Sequence, residues 1–207
     1  MLTPMEGRRR GPWKFAAALL GLAALIGCGS TTKPKSGITI DTLAAATGTA
    51  CPVPLDVAAD NSGIDTPSPA TGSVVVGHQA TDPTMDGESE SPIDAADGVE
   101  VGCTLTLDDG TNVDLLLVAA RTDAAPELLV PAAAAAGGLT QDQATQLAND
   151  VTRTKEGGLI PVPGANALAV MRTKVDGATS AAFLVSSKSL KRAQVEQVAR
   201  QLDERLR

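Results

Sequence analysis

One histidine, three cysteines and one dense run of carboxylates are the residues of this 207-residue chain with chemistry to offer. A histidine serves as general base for a serine or cysteine nucleophile when a carboxylate orients it. His78, the only histidine, has no G-x-S-x-G sequence and no nucleophile motif around it, so it reads as a solvated side chain. The carboxylate run is Asp82-Pro83-Thr84-Met85-Asp86-Gly87-Glu88-Ser89-Glu90. Its oxygens and glycine are spaced somewhat like the start of a calcium loop, and hard cations prefer oxygen ligands. The twelfth position, however, is Ile93, where a bidentate glutamate belongs. A solvated acidic loop is the expectation. No glycine-rich turn follows a strand and opens a helix, so no phosphate cradle is expected. These residues predict no catalytic site, no metal and no cofactor, and the chain is expected not to be an enzyme.

The first cysteine carries a different chemistry. Arg8, Arg9, Arg10 and Lys14 make a basic stretch, and Phe15 to Ile26 an apolar run of 12 residues, too short to span a bilayer. The run closes in Leu25-Ile26-Gly27-Cys28, a small residue followed by cysteine, which resembles the lipobox of bacterial lipoproteins. Residues 1–27 are therefore expected to be a signal peptide. The Cys28 thiol is expected to receive a diacylglycerol anchor, with palmitate-type chains, and to become the first residue of the mature protein. Two chains matter, because each buried methylene contributes about 0.8 kcal/mol and one chain holds a protein only marginally. The expected address is the extracytoplasmic face of the cell membrane. An ordinary secretory signal would instead release a free protein. Twin-arginine export is disfavoured, since Gly11, Pro12 and Trp13 do not resemble the residues that usually come after such a pair.

With Cys28 assigned to lipid, Cys51 and Cys103 remain as an even pair in an oxidising compartment, where a disulfide is the natural reading. A metal pair or a reactive thiol is the alternative, without supporting residues nearby. Closing a loop of roughly 50 residues would stabilise the fold by about 4 kcal/mol.

Without residues 1–27 the chain has 13 basic and 23 acidic residues, a formal net charge of −10. The excess is local: residues 56–127 hold 15 acidic residues and Arg121 as their only base, whereas residues 128–207 hold seven acidic and ten basic. Phosphate binding needs clustered Lys and Arg, so no nucleic-acid partner is expected. Beyond residue 27 the one aromatic side chain is Phe183, which weighs against base-stacking and carbohydrate platforms.

The elements that would position these residues are read from periodicity and punctuation. Residues 28–37 are small, polar and basic around Pro34 and read as a flexible spacer; residues 38–207 are expected to form a single domain. Asp41 is read as the N-cap of a short helix over Thr42 to Ala46, and a second helical piece is expected from Pro54 to Asp60. Val74-Val75-Val76 reads as a short strand, and the polar stretch at about residues 77–97 as a mobile acidic loop. Val99, Val101, Cys103, Leu105 and Leu107 alternate with polar residues, Asp109-Gly110 makes a turn, and Val113, Leu115, Leu117 and Ala119 return, which predicts a hairpin with one buried face. Cys103 would point inward and pin the first helical region to the sheet.

Glu127 to Ala136 reads as a helix ended by Gly137-Gly138, and Thr140 to Gln143 as the capping box of another helix running to about Arg153. Leu159 to Val162 reads as an edge strand containing Pro161. A second hairpin turns at Asp176-Gly177, and Leu190, Val195, Val198, Ala199, Leu202 and Leu206 form the stripe of a last helix. The two Asp-Gly turns lie about 67 residues apart, which suggests an architectural repetition. The expected fold class is α+β, an antiparallel sheet built from two hairpins and flanked by helices.

Cys28, Cys51 and Cys103, with Val162-Pro163-Gly164-Ala165-Asn166-Ala167 before the second hairpin, resemble a family of actinobacterial lipoproteins of unknown function. The resemblance covers residues 38–206. In place of the aromatic residue often found after the family's second cysteine, this chain has Thr104 and Leu105. The resemblance implies an extracytoplasmic domain, with a helix-flanked antiparallel sheet similar to the PsbP and Mog1 fold, and no established chemistry. The expected role is a non-catalytic binding or interaction module held on the membrane by covalent lipid, with a protein or small-molecule partner. The alternative is a carrier of an apolar ligand or lipid, and an enzyme with an unfamiliar site is a third class.

Overall fold

The computed structural model describes residues 38–53, 71–77, 91–106, 110–162 and 167–207. Cys28, His78, the acidic run of residues 82–90, the expected helix of residues 54–60, Leu107 and Asp109 all lie outside them.

Among the described residues six strands form one sheet: β1 (Thr71–Val76), β2 (Gly98–Thr106), β3 (Asn112–Ala120), β4 (Leu159–Pro161), β5 (Leu168–Thr173) and β6 (Ser180–Ser187). Every pairing is antiparallel, and the order is β1-β2-β3-β6-β5-β4. The fold is α+β, with each expected hairpin present as a strand pair. β1-β2-β3 and β4-β5-β6 are two meanders, joined at the centre by β3 and β6. The glycines of the two Asp-Gly turns share one left-handed backbone conformation, with φ 81° at Gly110 and 82° at Gly177, which explains why glycine stands at both.

The alternation read from β2 and β3 is realised on the first face of the sheet, where Val99, Val101, Cys103, Leu105, Val113, Leu115, Leu117 and Ala119 are buried. Phe183, fully buried at 0% exposure, stands between Leu117 and Met171 across the ladder. This face is covered by α1 (Ile40–Ala44) and α6 (Arg192–Leu206), through Ile40 and Leu43 on one and Val195, Val198, Ala199, Leu202 and Leu206 on the other. The stripe expected of the last helix is the buried one, joined by Asp203, whose Oδ2 accepts from Arg207 Nε at 2.8 Å.

The second face departs from the expectation of a single buried side. Val118, Ala120, Val170, Ala182 and Leu184 are buried there too, beneath α3 (Ala125–Leu128), α4 (Val130–Gly137) and α5 (Gln141–Arg153). Alternation in β3 fades after Leu117 for this reason: its last four residues are covered on both sides. The helix expected over Glu127 to Ala136 is two, α3 and α4, meeting at Leu129, with a proline in the first turn of each. Gly138, at φ 59°, closes α4 in the left-handed conformation.

Two local expectations are corrected. The N-cap of α1 is Thr39, not Asp41: Thr39 Oγ1 accepts from the Thr42 amide at 3.0 Å and Thr42 Oγ1 accepts from the Thr39 amide at 2.9 Å. Asp41 sits inside the helix and pairs with Arg121. The loop expected at about residues 77–97 is corrected over its last residues, where Ser91 caps a helical turn, α2 (Pro92–Ala95), with Asp94 closing the reciprocal box and Pro92 at the first position. The chain then turns at Asp97, φ 45°, directly into β2.

Candidate functional site

Cys51 and Cys103 are joined in a disulfide with Cα atoms 5.6 Å apart. Cys103 points into the first face at 4% exposure, and Cys51 packs against that core at the half-buried surface. The bridge holds the segment after α1 across the first two strands. Thr49 accepts the Gly72 amide at 2.7 Å, and a Cβ on Gly72 would lie 2.7 Å from Cys51 Cα, so this crossing needs glycine in β1.

The sheet's second face supplies a candidate site that sequence reasoning missed. Helices α3 to α5 cover only part of it. Over the rest, one row across the strands runs Ser73, Gly102, Leu116 and Leu184, and the next Thr104, Asp114 and Ser186. Together they line an open depression of ≈ 540 Å³, with Thr49 at its rim. The floor is low because Gly102 has no side chain; among the described residues a Cβ there would meet only Ser73 Oγ, at 3.1 Å. Leu116, half-buried, and Leu184, buried at the margin of the helical cover, give the floor an apolar centre. Around them stand hydroxyls and one carboxylate: Thr104 Oγ1 donates to Asp114 Oδ1 at 2.8 Å. This sets hydrogen-bond donors and acceptors around an apolar patch.

Two smaller hollows lie on the helical side. One, of ≈ 250 Å³, is lined by Asp123, Glu127, Thr152 and Arg172. Arg172 is occupied structurally, since Nη1 donates to the Thr154 carbonyl at 3.0 Å and closes the C-terminal end of α5. The other, of ≈ 340 Å³, lies between Pro92, Ile93, Leu128 and Pro131, with Glu100 and Glu127 at its margin. Among the described residues no group of three His, Cys, Asp or Glu side chains is placed to hold a metal ion, and no helix is long and apolar enough to cross a membrane.

Of the residues singled out from sequence, the structure brings together Cys51 and Cys103. Cys28, His78 and the acidic run lie outside the described residues. The signal for the depression was present but mute: the polar partners of the β2 and β3 alternation mark an outward face, and only the placement of distant helices decides which part stays open. Comparison of the chain with protein-family models, with curated proteins and with solved structures finds no match.

Proposed function

We propose that this chain is a lipoprotein anchored through Cys28 to the extracytoplasmic face of the membrane, one of the actinobacterial lipoproteins it resembles. In this reading it works as a non-catalytic binding module. The observation that carries the binding part is the depression on the second sheet face, with Leu116 and Leu184 framed by Ser73, Thr104, Asp114 and Ser186 and open among the described residues. Among the described residues no helix covers this patch, and patches of mixed apolar and polar character are where partners bind. Leu25-Ile26-Gly27-Cys28 supports the anchor.

Both parts are tested in the cells that make the protein. A photoreactive side chain at Leu116 should give a discrete adduct that is absent when the same group replaces exposed Glu156 and lost when Gly102→Val fills the floor. Equal labelling at the two positions would remove the sheet face as the binding surface. Cys28→Ser should abolish incorporation of labelled palmitate and release the protein from the membrane fraction; unchanged labelling would remove the anchor. An adduct consisting of lipid alone would favour the carrier.

A further inference from the structure

The two edges of the sheet are unequal. β4 offers three residues and contains Pro161, which has no N–H to donate. β1 offers six, Thr71-Gly72-Ser73-Val74-Val75-Val76, without a charge or a proline, so it lacks the usual devices that blunt an edge. Its register fixes which main-chain groups it presents. The Gly77 amide donates to the Gly98 carbonyl at 2.8 Å. Residues 73, 75 and 77 therefore turn their main-chain groups toward β2, and residues 72, 74 and 76 turn theirs outward. The outward amide of Gly72 is taken by Thr49. Among the described residues, those of Val74 and Val76 have no partner. Between them stands Val75, 51% exposed, the one large hydrophobic side chain exposed among the described residues.

This short window is its own complement. An identical strand laid antiparallel with Val75 on the two-fold axis sets Val74 against Val76 of the second copy and Val76 against its Val74. Each pair exchanges two main-chain hydrogen bonds, four in all. Val75 then meets its symmetry mate in the non-hydrogen-bonded position, where opposed side chains approach closest. Moving the axis to Val74 would require the outward groups of Gly72, already held by Thr49, so the register is fixed. We infer that β1 is a self-association edge whose occupant is β1 of a second copy of this chain, which continues the sheet across a two-fold axis. The strand itself carries no charged residue. Two paired strands bury less than the roughly 1,200 Å² typical of stable complexes, so association is weak and appears at high local concentration.

The test places a thiol on the axis. In the full-length chain with Cys28→Ser, where Cys51 and Cys103 are already bonded, Val75→Cys should oxidise to a covalent dimer at least roughly tenfold faster than Ser73→Cys, whose symmetry mate lies four residues out of register. Adding Val74→Pro removes an outward donor from each strand and leaves the ladder to β2 intact. It should slow the Val75→Cys reaction by roughly tenfold without changing the far-UV circular dichroism. If the proline variant does not fold, Val75→Lys in sedimentation equilibrium carries the same test, with roughly tenfold weaker dimerisation than the parent expected. Equal rates for the two cysteine positions, or a parent chain as monomeric as Val75→Lys, would overturn the inference.

Discussion

Gly77 and Gly102 both belong to the first meander and both lack a side chain, for different reasons. A Cβ on Gly77 would lie 2.4 Å from the carbonyl carbon and oxygen of Ile93, and main chain at the start of α2 cannot swing aside. At Gly102 the only obstacle among the described residues is a serine hydroxyl at 3.1 Å, on an exposed side chain. Gly77→Ala is therefore expected to destabilise the domain by about 1–3 kcal/mol, the usual range for overpacking, and Gly102→Ala to stay within about 0.5 kcal/mol of the parent. Urea unfolding followed by far-UV circular dichroism measures both; the sequence has no tyrosine and its one tryptophan is Trp13. Equal midpoints would show that the approach of α2 to β1 adjusts at no cost. The contrast also separates two meanings of glycine that sequence cannot distinguish: one admits a neighbouring backbone, the other lowers a floor.

Among the elements, the disulfide bears most on how the chain is held together. It joins residues 52 apart and fixes the segment after α1, five residues long and too short to persist alone, to the second strand. The chain-entropy relation predicts that reduction, or Cys51→Ala with Cys103→Ala, lowers stability by about 4 kcal/mol. Denaturant titration with and without reductant checks this, and a loss below about 1 kcal/mol would mean that α1 and the Thr39 bridge to Asp176 hold the segment unaided. The pairing was legible because the cysteine count is even once one is set aside. So was the α5 cap, where the Thr140 amide donates to Gln143 Oε1 at 2.9 Å and Thr140 Oγ1 accepts the Gln143 amide at 3.4 Å. The cap of α1 was misread because two threonines three apart can close the same box, while Asp41 is drawn to Arg121, which sits eighty residues away in sequence. Ser91 and Asp94 carry the same spacing, hidden among residues whose composition reads as loop. The open sheet face was illegible for a further reason: it depends on how far α3 to α5 extend over strands remote in sequence, which no local pattern encodes.

At the scale of the molecule the decisive contact is the seam between β3 and β6. It is the one strand pairing that joins the two meanders, eight residue pairs from Val113↔Ser187 to Ala120↔Ser180. Both of its faces are dry at the centre: Leu117, Ala119, Phe183 and Val185 lie under α1 and α6, and Val118, Ala120 and Ala182 under α3 to α5. Neither meander can keep its faces buried without the other, because α6 packs on β5 and β6 while its core is continuous with the side chains of β2 and β3. The domain is therefore expected to open as one cooperative unit, with its slowest-exchanging amides in the seam, near the global unfolding free energy. Protection should fall from Leu117 and Phe183 outward, through β2 and β5, to β1 and β4 at the edges. Native-state hydrogen exchange resolves this. Protection of β1-β2-β3 and β4-β5-β6 at two separate plateaus would show that the meanders are independently stable halves, and the seam an interface between them. A single plateau at the seam would make β3 and β6 the last structure lost. It would also show that stability resides where helices cover both faces of the seam, around Leu117 and Phe183, while the open depression takes in the other end of the same seam, at Asp114, Leu116, Leu184 and Ser186.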